Sequence, residues 1–265
     1  MRHWIDDCVE NHEECQKNHP ALCPTRLLDL IRFRSSGDIV LVELDEDPSE
    51  RIPYTTLSHC WGTPTSGPFT TTLANLASRK ECISFDDLPL TFQDAVTTTR
   101  KLNIAYLWID SLCIIQDSPN DWAKEAARMA IVYAGSICTL STLGSEDSNG
   151  GFFRVAEKET NGVLRYDLSI GTQRIRVFPH EPKTWDLAGP LMDRAWTLQE
   201  RALSRRILHF SRDALLWECK TLRASADVPW LQVSKSQNCV LPFSFVSGGG
   251  KGCFGERKSR RCQRS

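Results

Sequence analysis

Five potential metal ligands lie close together near the start of the chain. They are Cys8, His12, Cys15, His19 and Cys23. Thiolate sulfur and imidazole nitrogen are the ligands that zinc binds in structural sites. A zinc ion held by four of these side chains, Cys8, His12, Cys15 and Cys23, is therefore one interpretation of this segment.

The same spacing has a second interpretation. The separations of four, three, four and four residues also match one face of a helix. Ligands spread along a straight helix lie too far apart for one tetrahedral ion, so a zinc site requires the chain to bend, for example at Pro20. Without that bend we expect a helix that packs on the core through Trp4, Cys8 and Cys15.

A second group of candidate site residues follows two apolar runs of strand length, IPYTTLS and IAYLWI. The group consists of Ser58, Trp61, Gly62, Asp110 and Ser111. In an open α/β sheet the ligand lies beyond the carboxyl ends of the strands, so both turns are expected to line one crevice. There Trp61 can stack on an aromatic ring, and Gly62 allows a phosphate to approach the backbone.

Simpler structural roles remain open for these residues. Trp61 and Trp196 have the character of core aromatics as much as of ligand platforms. Asp110 at a strand end can cap the following loop as well as bind a ribose hydroxyl. Gly62 alone is a weak phosphate signal, and the sequence contains no Walker or dinucleotide-binding fingerprint.

Hydrophobic periodicity predicts the elements that position these turns. The pattern over residues 54–144 predicts, in order, a strand, a loop, a helix, a strand, a helix and a strand. This alternation is typical of βαβ units around a parallel sheet. The first helix is expected within 88–103, and the second begins with Ser118 as its cap and Pro119 at its first position. Residues 1–34 are expected to form a helix-like segment that ends in PTRLLDLIRF, before a short strand from Asp38 to Leu44.

The C-terminal half has a different pattern. VLRYDLSI and RIRVFP flank a Gly-Thr turn and predict an antiparallel hairpin, and RILHF and ALLWEC predict a second one. A helix that starts near Asp193 precedes the second hairpin. The fold class expected is α/β, a parallel sheet flanked by helices with antiparallel hairpin additions. Residues 223–265 are expected to form an irregular, basic, disordered tail.

Composition limits the class of protein. The 32 basic side chains nearly cancel the 33 acidic ones, so bulk charge gives no reason to expect binding to nucleic acid. No apolar run approaches the roughly 18 residues of a membrane-spanning helix, and the N-terminus lacks the apolar segment of a secretory signal. We therefore expect a cytoplasmic protein whose eleven cysteines are mostly reduced.

Three sequence blocks resemble the signature of the fungal heterokaryon incompatibility (HET) domain. They are YTTLSHCWG (54–62), LWIDSLCIIQDSPNDWAKEAARMAIVYAGS (107–136) and RAWTLQERALSRRILHF (194–210). One departure is His59, where that family more often has tyrosine. The resemblance implies a lead-in over 1–50, a HET domain over 51–222, and a role in fungal non-self recognition and programmed cell death. Protein partners and self-association belong to the same expectation.

A more distant similarity concerns chemistry. HET domains resemble TIR domains, which have a flavodoxin-like parallel α/β fold and of which some cleave NAD with a helix glutamate. The segment from Trp196 to Glu200 resembles the Trp-Cys-x-x-Glu helix of TIR domains. The similarity implies Glu200 as the catalytic residue and NAD as the substrate, with no cofactor required. Glycosidic cleavage passes through an oxocarbenium-like sugar, whose charge a nearby carboxylate can stabilise.

Two alternatives compete with that chemistry. Glu200 can instead be a helix-surface carboxylate paired with Arg201 or Arg205. The whole domain can also act as a non-catalytic signalling module that binds a partner protein or assembles with itself. The sequence does not decide between an enzyme and such a module.

Overall fold

The computed structural model describes residues 1–17, 23–33, 37–44, 52–62, 68–153, 166–170, 173–177, 187–212, 214–226 and 233–234. The expected boundary at residue 50, His19, and the tail beyond 226, apart from 233–234, lie outside these residues. The strands are β1 (Arg26–Asp29), β2 (Asp38–Glu43), β3 (Tyr54–Ser58), β4 (Ile83–Ser84), β5 (Tyr106–Ile109), β6 (Cys138–Ser141), β7 (Tyr166–Ile170), β8 (Gln173–Val177), β9 (Arg206–Phe210), β10 (Leu215–Cys219), β11 (Leu222–Ser225) and β12 (Val233–Ser234).

In chain order, most helices of the described residues fall between the strands β3 and β9. They are α1 (Arg2–Asn11), α2 (Leu76–Glu81), α3 (Leu90–Lys101), α4 (Asp110–Cys113), α5 (Pro119–Gly135) and α6 (Ala195–Leu203), with 3₁₀ turns at Glu13–Cys15 and Pro190–Asp193. The helices expected within 88–103 and after Ser118 are confirmed as α3 and α5. Ser118 accepts a hydrogen bond from the backbone of Asp121, as its predicted cap role requires.

The centre of the sheet is parallel. β3 pairs in parallel with β5 on one side and with β6 on the other, and β6 pairs in parallel with β9. The chain therefore adds β5 to one side of β3 and then crosses to add β6 and β9 on the other side. Leu57 lies opposite Ile109 in this register, so that Ser58 and Asp110 leave the sheet at the same edge.

The sheet as a whole is mixed, which corrects the expected parallel sheet. Among the described residues, ten strands follow the order β12-β11-β10-β9-β6-β3-β5-β1-β2-β4. β1 is antiparallel to both β2 and β5, and β10 is antiparallel to β9. The α/β class is confirmed, with an antiparallel flank on each side of the parallel centre.

Strand β1 corrects the expected helix at PTRLLDLIRF. Leu27 and Leu28 point to opposite faces of the sheet, and both are fully buried. A strand covered on both faces gives a continuous apolar run, which periodicity does not distinguish from a short buried helix. The lead-in therefore supplies an interior strand of the same sheet rather than a separate unit.

The two hairpins of the C-terminal half are confirmed. β7 and β8 form a separate two-stranded sheet, and β9 and β10 form the other hairpin. The helix expected near Asp193 begins two residues later, after the 3₁₀ turn. Residues 223–225, assigned to an irregular tail, instead complete β11, which pairs with β10 and β12.

The N-terminal helix packs on the core as predicted. Trp4 and Cys8 of α1 are buried, as is Cys15 just beyond it. The ring of Trp4 stacks on that of Trp217 from β10 at 6.1 Å between centroids. Within the described ranges, no helix is long and apolar enough to cross a membrane.

Candidate active site

Glu200 lies on the inner face of α6 and is 3% exposed. One of its carboxylate oxygens accepts a hydrogen bond from the hydroxyl of Ser58, the last residue of β3. The hydroxyl of Tyr133 from α5 lies close enough to lower the pKa of this carboxyl group, and it donates a hydrogen bond to the main-chain oxygen of Leu57 at 3.4 Å. Three elements that are distant in sequence therefore meet at one buried acid.

The surface interpretation of Glu200 is wrong. Arg201, one of its expected partners, pairs with Glu218 at 2.7 Å. Arg205, the other, donates to the main-chain oxygens of Cys15 and Ser136. Both arginines belong to the packing behind α6, and Glu200 faces the edge of the sheet instead.

Burial changes the protonation of this carboxyl group. Loss of solvation raises the pKa of Glu200 to about 7, while the hydrogen bond from Ser58 opposes the rise. The negative charge of Asp110 raises the pKa further, and the positive charge of Arg194 lowers it. Near neutral pH the group is therefore present in both its acid and its base form, which is the property of a general acid–base residue.

Asp110 stands beside Glu200 at the start of α4. Its carboxylate accepts a hydrogen bond from the indole N–H of Trp61 at 2.9 Å and another from the backbone of Ser111 at 2.7 Å. Burial raises the pKa of Asp110 above its ordinary value. The short helix α4 has no side-chain cap bond, so the capping role expected for Asp110 is not observed, and its carboxylate instead holds the Trp61 ring in place.

A cavity of about 260 Å³ connects these residues. It lies just below the range of roughly 300–1,000 Å³ typical of small-molecule sites. Its polar wall contains Asp110, Gln116, Arg194 and Glu200, and its aromatic wall contains Trp61, Trp122 and Trp196. This combination of carboxylates, one guanidinium and several rings suits a ligand that carries both an aromatic base and polar groups.

The residues proposed from the sequence take different places around this cavity. Trp61, Asp110 and Glu200 line it, and Ser58 contacts Glu200 from the strand behind. Ser111 is buried, and its hydroxyl has no hydrogen-bond partner among the described residues. Gly62 takes a backbone φ of +95°, which favours glycine. Neither Ser111 nor Gly62 is among the residues that line the cavity.

The cavity-wall residues that sequence reasoning missed include Arg194, Gln116 and Trp122. Arg194 precedes α6, and its guanidinium donates to the main-chain oxygen of His59. Trp122 and Trp196 are 50% and 56% exposed, so Trp196 is not the core aromatic that one interpretation expected. Trp122 is followed by Ala126 and Met129 at helical spacing, and this apolar stripe was the signal that could have identified it.

His59 contributes a neutral ring next to this wall. It is 2% exposed, and burial together with the charge of Arg194 lowers its pKa to about 3. Its ring meets that of Phe92 edge-on at 5.0 Å. Because neither ring nitrogen has a hydrogen-bond partner within the described part of the chain, His59 acts mainly as packing.

The chain belongs to the heterokaryon incompatibility protein (HET) family, whose model matches residues 54–200. The match begins at the first residue of β3 and ends at Glu200, so it contains β3, β5, β6 and the cavity walls but not β9. Membership implies a role in heterokaryon incompatibility and a fungal context. No curated protein and no solved structure matches the chain.

Proposed function

We propose that this HET domain is a cytoplasmic effector of fungal non-self recognition that hydrolyses NAD and thereby promotes regulated cell death. The observation that carries this proposal is the environment of Glu200. A buried carboxyl group with a pKa of about 7 stands in the wall of an aromatic-lined cavity, and the same residue is the one that the resemblance to TIR domains implies as catalytic.

The order of the parallel strands supports a TIR-like, flavodoxin-like core. Taken in chain order, β3, β5, β6 and β9 are strands one to four, and their spatial order is 2-1-3-4. Flavodoxin-like sheets have the order 2-1-3-4-5 and bind their ligand where the order reverses, between strands one and three. Here that point lies between β3 and β6, and Ser58 ends β3 at it.

The cavity wall offers a group for each part of a nicotinamide nucleotide. The rings of Trp61, Trp122 and Trp196 can stack on the nicotinamide or the adenine. Arg194 supplies a guanidinium, the cation that best pairs with a pyrophosphate. Asp110 lies next to Glu200. It can accept a hydrogen bond from a ribose hydroxyl through the carboxylate oxygen that does not bond to Trp61.

The reaction needs one carboxylate and one water. The bond between ribose C1′ and the nicotinamide nitrogen breaks, and its electron pair stays on nitrogen, so nicotinamide leaves as a neutral molecule. Ionised Glu200 stabilises the positive charge that develops on the ribosyl group. Water then adds to C1′, its proton passes to Glu200 and from there to solvent, and the products are ADP-ribose, nicotinamide and a proton.

Nicotinamide release from NAD by the purified protein tests this function. We expect Glu200→Gln to reduce the rate by about 100-fold or more, because the variant keeps the shape but not the charge. Glu125→Gln is the matched control, since Glu125 is an equally buried glutamate whose hydrogen-bond partner is Thr25 and which does not line the cavity. Equal rates in wild type and Glu200→Gln would remove Glu200 from the reaction.

A second function is favoured by the surface around the cavity. Trp122, Trp196 and Leu198 are each half exposed, and large apolar side chains on a surface mark a contact site for a protein. In this function the domain binds a partner protein or another copy of itself and does not act on NAD. No nicotinamide release at any protein concentration, together with an assembly that Trp196→Ala abolishes in light scattering, would establish it in place of the enzyme.

A further inference from the structure

Four side chains that can bind a metal meet beside α1. They are Cys8, His12, Cys15 and Cys219, and their ligand atoms all lie within 4.8 Å of one another. The sulfur of Cys219 lies 3.5 Å from the Nδ1 atom of His12. We propose that these four residues form a structural zinc site, independent of the proposed function.

The separations suit one tetrahedral ion. Zinc bonds of about 2.3 Å to sulfur and about 2.0–2.1 Å to nitrogen place a sulfur and a nitrogen ligand roughly 3.6 Å apart, and two sulfurs roughly 3.8 Å apart. The distance between Cys219 and His12 matches the first value, and a small inward shift of the thiols satisfies the second. Three thiolates and one imidazole in a tetrahedron favour zinc over harder metals.

The surroundings of the cluster balance its charge. Three thiolates on a divalent ion leave one net negative charge, and the guanidinium of Arg206, 1% exposed, donates to the sulfur of Cys8 at 3.2 Å. The backbone of Leu222 donates to the sulfur of Cys219 at 3.3 Å. The second ring nitrogen of His12 lies 3.8 Å from the Asp7 carboxylate, longer than a hydrogen bond, and a carboxylate on this side of the ring can orient a zinc-bound histidine.

A divalent ion would bind all three sulfurs as thiolates, because each thiol loses its proton on binding.

The site is closed and lies away from the cavity. Cys8 and Cys15 are fully buried and Cys219 is 2% exposed, so four protein ligands leave no position for a substrate. Cys219 pairs with Arg206, the first residue of β9, whereas Ser58 and Glu200 lie where the parallel strands end. The ion would therefore stabilise the fold and take no part in the reaction.

Two features of the sequence-based zinc interpretation change. The bend occurs at His12, whose backbone is extended with φ −109° and ψ 92°, and Pro20 is not needed for it. The fourth ligand is Cys219 in place of Cys23, whose main-chain oxygen accepts a hydrogen bond from Arg128. The ligands thus lie on both sides of the family match at 54–200, and the ion joins the lead-in to β10.

Metal analysis of the full-length protein tests the site. We expect about one equivalent of zinc by mass spectrometry of protein expressed with zinc. Cys219→Ser should lose most of it, while Cys23→Ser, the matched control at a buried cysteine outside the cluster, should retain it. Asp7→Asn should weaken zinc binding by about tenfold or more, through the orientation of His12.

A spectroscopic measurement decides the case even where Cys219→Ser fails to fold. Cobalt exchanged into the wild-type protein should give the intense visible bands of tetrahedral coordination and the ultraviolet charge-transfer bands of thiolate ligands. His12→Cys should retain the metal with an added thiolate band. Wild-type protein that binds neither zinc nor cobalt, or that contains a disulfide between any two of Cys8, Cys15 and Cys219 when isolated under reducing conditions, would overturn the proposal.

Discussion

At the scale of single residues, the unusual feature is a glutamate whose burial works against its own ionisation. Glu200 keeps a hydrogen bond from Ser58, the hydroxyl of Tyr133 lies nearby, and the positive charge of Arg194 acts on it as well. These interactions only partly replace the water that the carboxylate loses. Such a group lowers stability when it is charged, which makes its role measurable without any assumption about a substrate.

Glu200→Gln should make the fold less sensitive to pH. The pKa of Glu200 in the folded state, about 7, lies above the ordinary 4.5, so the folded state binds the proton more tightly than the unfolded state. The free energy of unfolding therefore falls as the pH rises from 4.5 through 7. A tenfold change in proton affinity corresponds to about 1.4 kcal/mol. The free energy of unfolding of wild type should therefore fall by on the order of 3 kcal/mol between pH 4.5 and 8, and that of the variant should not show this fall. Urea unfolding at both pH values measures this, and parallel pH profiles would contradict it.

Ser58→Ala should move the titration of Glu200 to higher pH. The Ser58 hydroxyl donates to the carboxylate and lowers its pKa, so its removal leaves the charged form less stable. A hydrogen bond to a charged group contributes about 1.5–3 kcal/mol, which corresponds to an upward move of about one pH unit or more. The acidic limb of the pH–rate profile of nicotinamide release reports the midpoint, and an unchanged midpoint would show that the hydroxyl does not act on this carboxylate.

At the scale of elements, the position of α6 depends on a tight approach before it. Gly189 lies against the loop after β6, and a Cβ atom there would come within 2.1 Å of the main-chain oxygen of Leu143. The 3₁₀ turn Pro190–Asp193 and then α6 follow directly. One glycine thus sets the path of the segment that carries both Arg194 and Glu200.

Gly189→Ala should destabilise the protein and reduce any activity of the site. The backbone contact has no flexible partner that can yield, so we expect a loss of about 2–3 kcal/mol, as for overpacking in a core. Gly37→Ala is the matched control, because Gly37 has a φ of +77° with nothing within 4 Å of the added Cβ. It should lose only about 1 kcal/mol, from backbone strain alone. Thermal unfolding compares them, and equal losses would place the effect in the backbone and not in the contact.

At the scale of the whole molecule, the residues before the family match belong to the same hydrophobic core as those within it. β1 lies between β5 and β2 inside the sheet, and Leu27, Leu28 and Leu30 are fully buried. Helix α1 packs on Trp217 of β10, beyond the C-terminal end of the match. The HET match therefore describes a sequence signature, and the unit that folds is larger.

A chain restricted to residues 51–226 should not fold independently. Its loss of β1 and β2 exposes the edge of β5 and removes several buried leucines, each worth about 1.5–3 kcal/mol, which together equal the usual stability of a domain. Expression of this fragment beside the full-length protein, followed by circular dichroism and thermal unfolding, tests the expectation. A soluble fragment with a cooperative transition at the same midpoint would show that the lead-in is dispensable.

The sequence alone determined the features that depend on neighbouring residues. Helices α3 and α5, the cap at Ser118, the two C-terminal hairpins and the family blocks all follow from periodicity, capping chemistry or motif spacing. It also supplied Ser58, Trp61, Asp110 and Glu200 as candidate site residues, through strand ends and a distant similarity. Their chemical roles remain predictions.

The tertiary structure alone decided which distant segments meet. It placed β1 in the interior of the sheet, brought Ser58 to Glu200 and Arg194 to the cavity wall, and joined Cys219 to His12 across 207 positions of the chain. The physical reason is that an apolar pattern records how deeply a residue is buried but not against what. The proposed zinc ligands illustrate this. Cys8, His12 and Cys15 lie within eight residues of the chain and could be proposed from the sequence, whereas Cys219 joins them only in the folded sheet.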